Sequence, residues 1–138
     1  MDRFISNEGT VRDTATGLMW QQTLSRIPLT WKEAVKYCAE STLAGFTDWR
    51  LPTIHELFSI VDFTIENVHF IDQNYFDVPE IDRIGHHWSS TVYYIAYGGK
   101  TDSAWYVSFF SGGVFFRDKT NVCYARAVRS IDPHSCRP

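Results

Sequence analysis

Apolar positions recur with one period before His87 and another after it. GTVRDTATGLMW (9–20) alternates, turns through Thr14 to Gly17, and resumes an apolar run at Leu18-Met19-Trp20. That pattern predicts a hairpin, with Gly17 supplying a left-handed position. TWKEAVKYCAES (30–41) opens with a Thr-x-x-Glu box, Thr30 and Glu33, and places Ala34, Val35 and Cys38 on one helical face with Trp31 close to it. Leu43-Ala44-Gly45 ends this helix. In FTDWRLPTIHEL (46–57), Pro52 pushes Leu51 out of helical space, so Trp49-Arg50-Leu51 reads as extended. A second box, Thr53 and Glu56, then starts a short helix whose buried stripe is Ile54, Leu57, Phe58 and Val61. Residues 62–87 hold no period and read as a long ordered loop or a set of short strands.

After His87 the pattern is β. WSSTVYY (88–94), AWYVSFF (104–110), VFFR (114–117) and VCYARAVR (122–129) are strands by composition. In the second, Trp105, Val107 and Phe109 share one face and Tyr106, Ser108 and Phe110 the other. Ser111-Gly112-Gly113 makes a tight turn into the third. In the fourth, Cys123, Ala125 and Ala127 form a small set that fits a crowded interior, alternating with Tyr124, Arg126 and Val128. Two early helices and a late run of strands predict a single α+β domain over 1–130, followed by a frayed tail over 131–138.

Composition narrows the function. Five Trp, seven Tyr and ten Phe exceed what a small core needs, so some rings serve as surface contacts. No apolar run has transmembrane length or sits behind a basic N-terminus as a leader would. The net charge of −3 hides an asymmetry: residues 1–82 carry six Lys/Arg against thirteen Asp/Glu, and residues 83–138 carry seven against three. The small basic cluster and low isoelectric point disfavour nucleic acid and leave room for an anionic small ligand or polysaccharide. Cys38, Cys123 and Cys136 lack metal spacing; one bridge plus a thiol, or three thiols, both fit.

The order GTVRDTATGLMW, TWKEAVKYC, GFTDWRLPTIHEL, WSST, AWYVSFFSGG, ARAVR resembles the C-terminal domain of the Legionella collagen-like adhesin, from about Gly9 to Arg129. The resemblance implies a C-type lectin-like fold, with two helices packed on a twisted antiparallel sheet, and a binding module rather than a chemistry. In the adhesin the similar domain recognises sulfated glycosaminoglycans and forms trimers. The matched framework positions are Trp20, Asp48, Trp49, Arg50, Pro52, Glu56, Leu57, Trp88, Ser89, Ser90, Trp105, Arg126 and Arg129. Their recurrence in the family makes Trp49 a core residue and gives Arg50 a buried pair or backbone contacts, with Asp48 as its partner or as a cap. Family members often carry a cysteine where this chain has Ala127, facing one that matches Cys38; Cys38–Cys123 is the substitute bridge that resemblance suggests.

No catalytic or phosphate-binding motif is present, so an enzyme rests only on likeness to formylglycine-generating enzymes, and no cofactor is implied. His55, Glu56, Asp62, Glu66, His69 and Asp72 follow no metal-ligand spacing, the acidic calcium motifs of sugar-binding C-type lectins are absent, and His86 and His87 read as turn residues. The candidate site is therefore the late strand face opposite Trp105: Tyr93, Tyr94, Tyr97, Tyr106, Phe110, Phe115 and Tyr124, with Arg117 and Lys119, while Phe116 is expected in the core. The predicted function is non-enzymatic recognition of an extracellular carbohydrate or sulfated glycosaminoglycan at the cell surface, with a protein ligand close behind and no membrane insertion. A retroelement-diversified receptor is the alternative, and a homo-oligomer interface is the other use for such rings.

Overall fold

The computed structural model describes residues 2–66, 69–79 and 85–131. Strands β1 (Phe4–Asn7), β2 (Thr10–Asp13) and β3 (Leu18–Gln21) are followed by helices α1 (Trp31–Ala39) and α2 (Ile54–Phe58), then β4 (His86–Ile95), β5 (Gly99–Ser108), β6 (Val114–Asp118) and β7 (Val128–Ser130). The α+β architecture is built on two antiparallel sheets rather than one, ordered β1-β2-β3-β7 and β4-β5-β6. The N-terminal hairpin meets the C-terminal strand directly, through Trp20 opposite Val128.

Local chemistry accounts for both helix starts. Each begins with a complete capping box, at Thr30 with Glu33 and at Thr53 with Glu56. Ala34 and Cys38 are buried on α1, and Ile54 and Leu57 on α2. Phe58, expected in the buried stripe, is exposed because α2 ends there and Ile60 takes the inward position instead. Gly17 holds the β2–β3 turn at φ +73°, as the pattern required. At the β5–β6 turn, Gly112 has φ +75° and the Phe63 ring sits where a Cβ would be. Strand β1 escaped the sequence reading because FISN is short and buries only Phe4.

The largest departure is at 122–129, which pairs as a regular strand only from Val128. Upstream it changes partner almost residue by residue. Cys123 bridges Leu29, Tyr124 bridges His87 in β4, the Ala125 carbonyl accepts from the Ser25 N–H, and Gln21 contacts Ala127 by backbone and side chain. This strap joins the two sheets, so every residue from Cys123 to Val128 is buried and no side faces water. Cys123, Ala125 and Ala127 are interior as expected, but so are Tyr124, Arg126 and Val128.

Arg126 fixes the strap. Its guanidinium donates to the carbonyls of Gln21 at 3.1 Å, Gln22 at 2.5 Å and Thr23 at 3.0 Å, and also to the Asp77 carbonyl. It lies 5.4 Å from the Phe76 ring centroid. Burial pushes its pKa down to about 10, which leaves it cationic at neutral pH. One planar fork thus serves four carbonyls, of which Gln22 also accepts from the Asp77 N–H.

Two framework pairs close the corner first seen as DWRLPT. Trp49 is buried and its indole donates to the Leu43 carbonyl at 3.0 Å. Arg50 pairs with Glu56, not Asp48, through two bonds of 2.7 and 2.8 Å. Burial raises the Glu56 carboxyl most of any single effect, but the hydrogen bonds and charge of Arg50 together with the hydrogen bonds of Thr53 outweigh it and hold the group below the usual range. Asp48 instead pairs with Arg129 at 2.6 and 3.2 Å, and Arg129 stacks 3.7 Å above Phe46.

Arg126→Met is expected to cost at least about 3 kcal/mol in urea-unfolding measurements, because it strands buried carbonyls. Arg126→Lys should recover only part of that, since one ammonium cannot span acceptors from both Gln21–Thr23 and Asp77.

Candidate functional site

The predicted ring set does not form one surface. Alternation along β6 divides it between the two faces of the β4-β5-β6 sheet, with Trp105 opposite Phe116 and Tyr106 opposite Phe115.

The Tyr106 face carries the basic residues. Tyr106 itself is buried, in contact with Trp88 and His86, and Tyr124 is buried in the strap; both were expected to be exposed. Tyr106 and Ala104 belong to one buried cluster with Cys123, Ala125 and Ala127 of the strap, which is why the simple alternation of wet and dry faces fails there. Phe115 remains 46% exposed beside Tyr106. Arg117 lies 4.5 Å over the Tyr106 ring and donates to its hydroxyl at 3.3 Å. Two residues on, the Lys119 ammonium sits 4.3 Å over Trp31, at the start of α1. The Trp31 N–H donates to the Lys119 carbonyl, so helix and strand end are locked together. Thr30, Trp31, Lys32, Lys119 and Thr120 line an open cleft of about 540 Å³ here. Of the nearby carboxylates, Glu33 is engaged with Thr30 and Asp118 with Thr120, while Asp102 is exposed and stands across the ladder from Lys119. The result is a stripe of two rings and three cations: Phe115, Arg117, Trp31, Lys119 and Lys32. Trp31 and Lys32 were missed as site residues because the sequence shows them only as the first turn of an amphipathic helix.

The Trp105 face is apolar. Tyr93 stacks on Phe116 at 3.8 Å with the planes 7° apart, and Trp105 meets both edge-on. Phe116, expected in the core, is 46% exposed because β6 lies at the rim of its sheet. Beside this trio, Ile54, His55, Phe58, Thr91, Trp105 and Val114 line a cleft of about 400 Å³. Tyr94 and Tyr97 are exposed at the β4–β5 hairpin tip, where Tyr97 adopts φ +65°, and Phe110 is exposed at the β5–β6 turn. They join neither face. Of the remaining framework residues, Trp88 is buried and donates to the Leu29 carbonyl at 2.8 Å.

Among the described residues no three His, Cys, Asp or Glu side chains converge as metal ligands. Asp62 binds Thr64, and Asp72 accepts from the Asn74 N–H. His86 and His87 begin β4 rather than forming a turn. His87 is enclosed; its Nδ1 lies 2.9 Å from the Gly85 carbonyl and its ring meets Phe109 edge-on. Burial, with Arg126 nearby, lowers its pKa from 6.5 to about 3, so it is neutral in the fold. Cys38 is buried and unbridged, so the Cys38–Cys123 bridge is not formed, and burial raises this thiol to about 12. Such a thiol is unsuited to nucleophilic work at neutral pH. Cys136 and the tail from Asp132 lie outside the described residues. No described helix is long and apolar enough to cross a membrane.

Residues 9–129 match the Lcl C-terminal domain, and the chain belongs to that family. No individual curated protein matches the chain closely enough to inform its role.

His87 is neutral in the folded state and becomes charged in the unfolded state below pH 6.5. Its contribution is therefore complete above pH 6.5 and is lost as pH falls toward 3. Between pH 7.5 and 4.5, urea unfolding should show the native protein losing roughly 2 kcal/mol more than a His87→Leu variant.

Proposed function

We propose that this domain is a non-enzymatic recognition module of C-type lectin-like fold, which binds an anionic carbohydrate of the sulfated-polysaccharide class outside the cell. The observation that carries the reading is the stripe on the Tyr106 face, where Phe115 and Arg117 share one side of β6 and Lys119, just beyond it, meets Trp31 and lines a cleft with Lys32 of α1. Aromatic rings stack on the apolar faces of sugar rings, and the cations pair with sulfate or carboxylate groups. Arg126 is buried and Arg129 is paired with Asp48, so the surface positive charge of the late strands is concentrated in this stripe and Lys100. The direct pairing of β3 with β7, which brings chain start and chain end together, supports the lectin-like reading. The enclosed thiol of Cys38 weighs against catalysis of the formylglycine-generating kind.

A second reading, a protein ligand, is favoured by the hairpin tip, where Tyr94, Ile95 and Tyr97 are all exposed.

The test is retention on a heparin column and titration with a sulfated oligosaccharide. Retention should fall with added salt. Combined Arg117→Ala and Lys119→Ala should weaken binding at least about tenfold, while Lys100→Ala at the hairpin changes it little. Unchanged binding in the double variant would overturn the assignment of the stripe.

A further inference from the structure

The open edge of β6 carries an inference independent of the basic stripe. In the β5–β6 ladder the Ser108 N–H donates to the Gly113 carbonyl and the Lys119 N–H to the Asp102 carbonyl. With the register Val107–Val114 and Trp105–Phe116, the hydrogen-bonded pairs are Ser108–Gly113, Tyr106–Phe115, Ala104–Arg117 and Asp102–Lys119. The main-chain groups of Phe115 and Arg117 are therefore turned toward β5, and those of Val114 and Phe116 away from it. Among the described residues nothing accepts from or donates to these outward groups, and β6 ends its sheet.

Edge strands are ordinarily guarded by lysine, proline, a bulge or a covering loop. Here three consecutive apolar residues stand at the rim: Val114 is 37% exposed, and Phe115 and Phe116 are 46% exposed each. Val114 also forms the lip of the apolar cleft floored by Trp105 and walled by Ile54 and Phe58. A row of free main-chain groups beside an apolar cleft accepts an extended backbone, with alternate side chains turned toward the cleft.

We propose that β6 receives an extended peptide from another protein as a fourth strand of the β4-β5-β6 sheet, with apolar side chains at alternate positions on the Trp105 face. A second copy of the chain fits this place poorly. In a two-fold pairing of β6 with itself, the partner would present its own Val114 and Phe116 on that face. Both are already engaged: Phe116 is stacked at 3.8 Å on Tyr93, and Val114 lines its own cleft. A free peptide has no such commitments.

The test uses capped octapeptides of alternating threonine with valine or phenylalanine, flanked by lysines, titrated into the intact domain. Hydrogen exchange at the Val114 and Phe116 amides should slow by roughly tenfold or more at saturation, with Phe115 and Arg117 unchanged because they are already bonded within the sheet. Peptides N-methylated at the amides that face β6 should not bind, and those methylated at the alternate amides should. Val114→Pro removes only an outward N–H, so the sheet should persist while the peptide is lost. Protection of the Ser108 and Lys119 amides checks that persistence. The proposal is overturned if neither peptide binds at millimolar concentration, if protection appears away from β6, if Val114→Pro binds equally well, or if the chain alone forms a dimer with β6 already protected.

Discussion

The guanidinium of Arg126 holds the molecule's two halves in register. It collects three carbonyls that leave the end of β3 and one from the loop at Asp77, at the point where the strap crosses between sheets. Burying a cation is costly unless its donors are used. Here the two terminal nitrogens of one side chain meet four acceptors, which offsets part of the penalty, while the Nε stays buried without a partner among the described residues. The loop after β3, the segment around Asp77 and the strap are thereby fixed relative to each other. The β4-β5-β6 sheet, which the strap touches at Tyr124, inherits its position from that arrangement.

The sheet so placed is asymmetric. One side shares a buried cluster with the strap and is edged with Arg117 and Lys119; the other is an apolar floor under α2. The single recognition face anticipated from composition is thus two surfaces of different chemistry, separated by the thickness of a strand. The two ligand classes proposed above, a charged sugar and an extended apolar peptide, fall to different sides of the sheet. Because the two surfaces use alternate residues of the same five-residue strand, substitutions on β6 can address them separately.

What could be read in the sequence was what local chemistry decides. Both capping boxes, the Gly17 turn and the β5–β6 hairpin depend on residues within a few positions of each other, and all were legible. What failed depended on distant partners. The alternation rule assumes one wet face, and it misplaced Tyr124, because both sides of the strap are buried, and Tyr106, which joins a buried cluster with Trp88 and the strap's small residues. Phe116 was assigned inward because nothing in VFFR announces a sheet rim. Asp48 was matched to its neighbour Arg50, yet Arg50 reaches Glu56 and Asp48 reaches across to Arg129. Of the candidate site, Phe115, Arg117 and Lys119 were found by strand periodicity. Trp31 and Lys32 were hidden because their helix lies far from β6 in the chain and close to it in space.

Cys38 meets the strap's small residues in the same cluster without a covalent link. Helix α1 is thus tied to the C-terminal segment by close packing of alanines and a thiol, not by an oxidised sulfur pair at that position. The pairing of Trp31 with Lys119 at the start of α1 therefore rests on ring, ammonium and main-chain contacts, with no covalent tie beside it among the described residues.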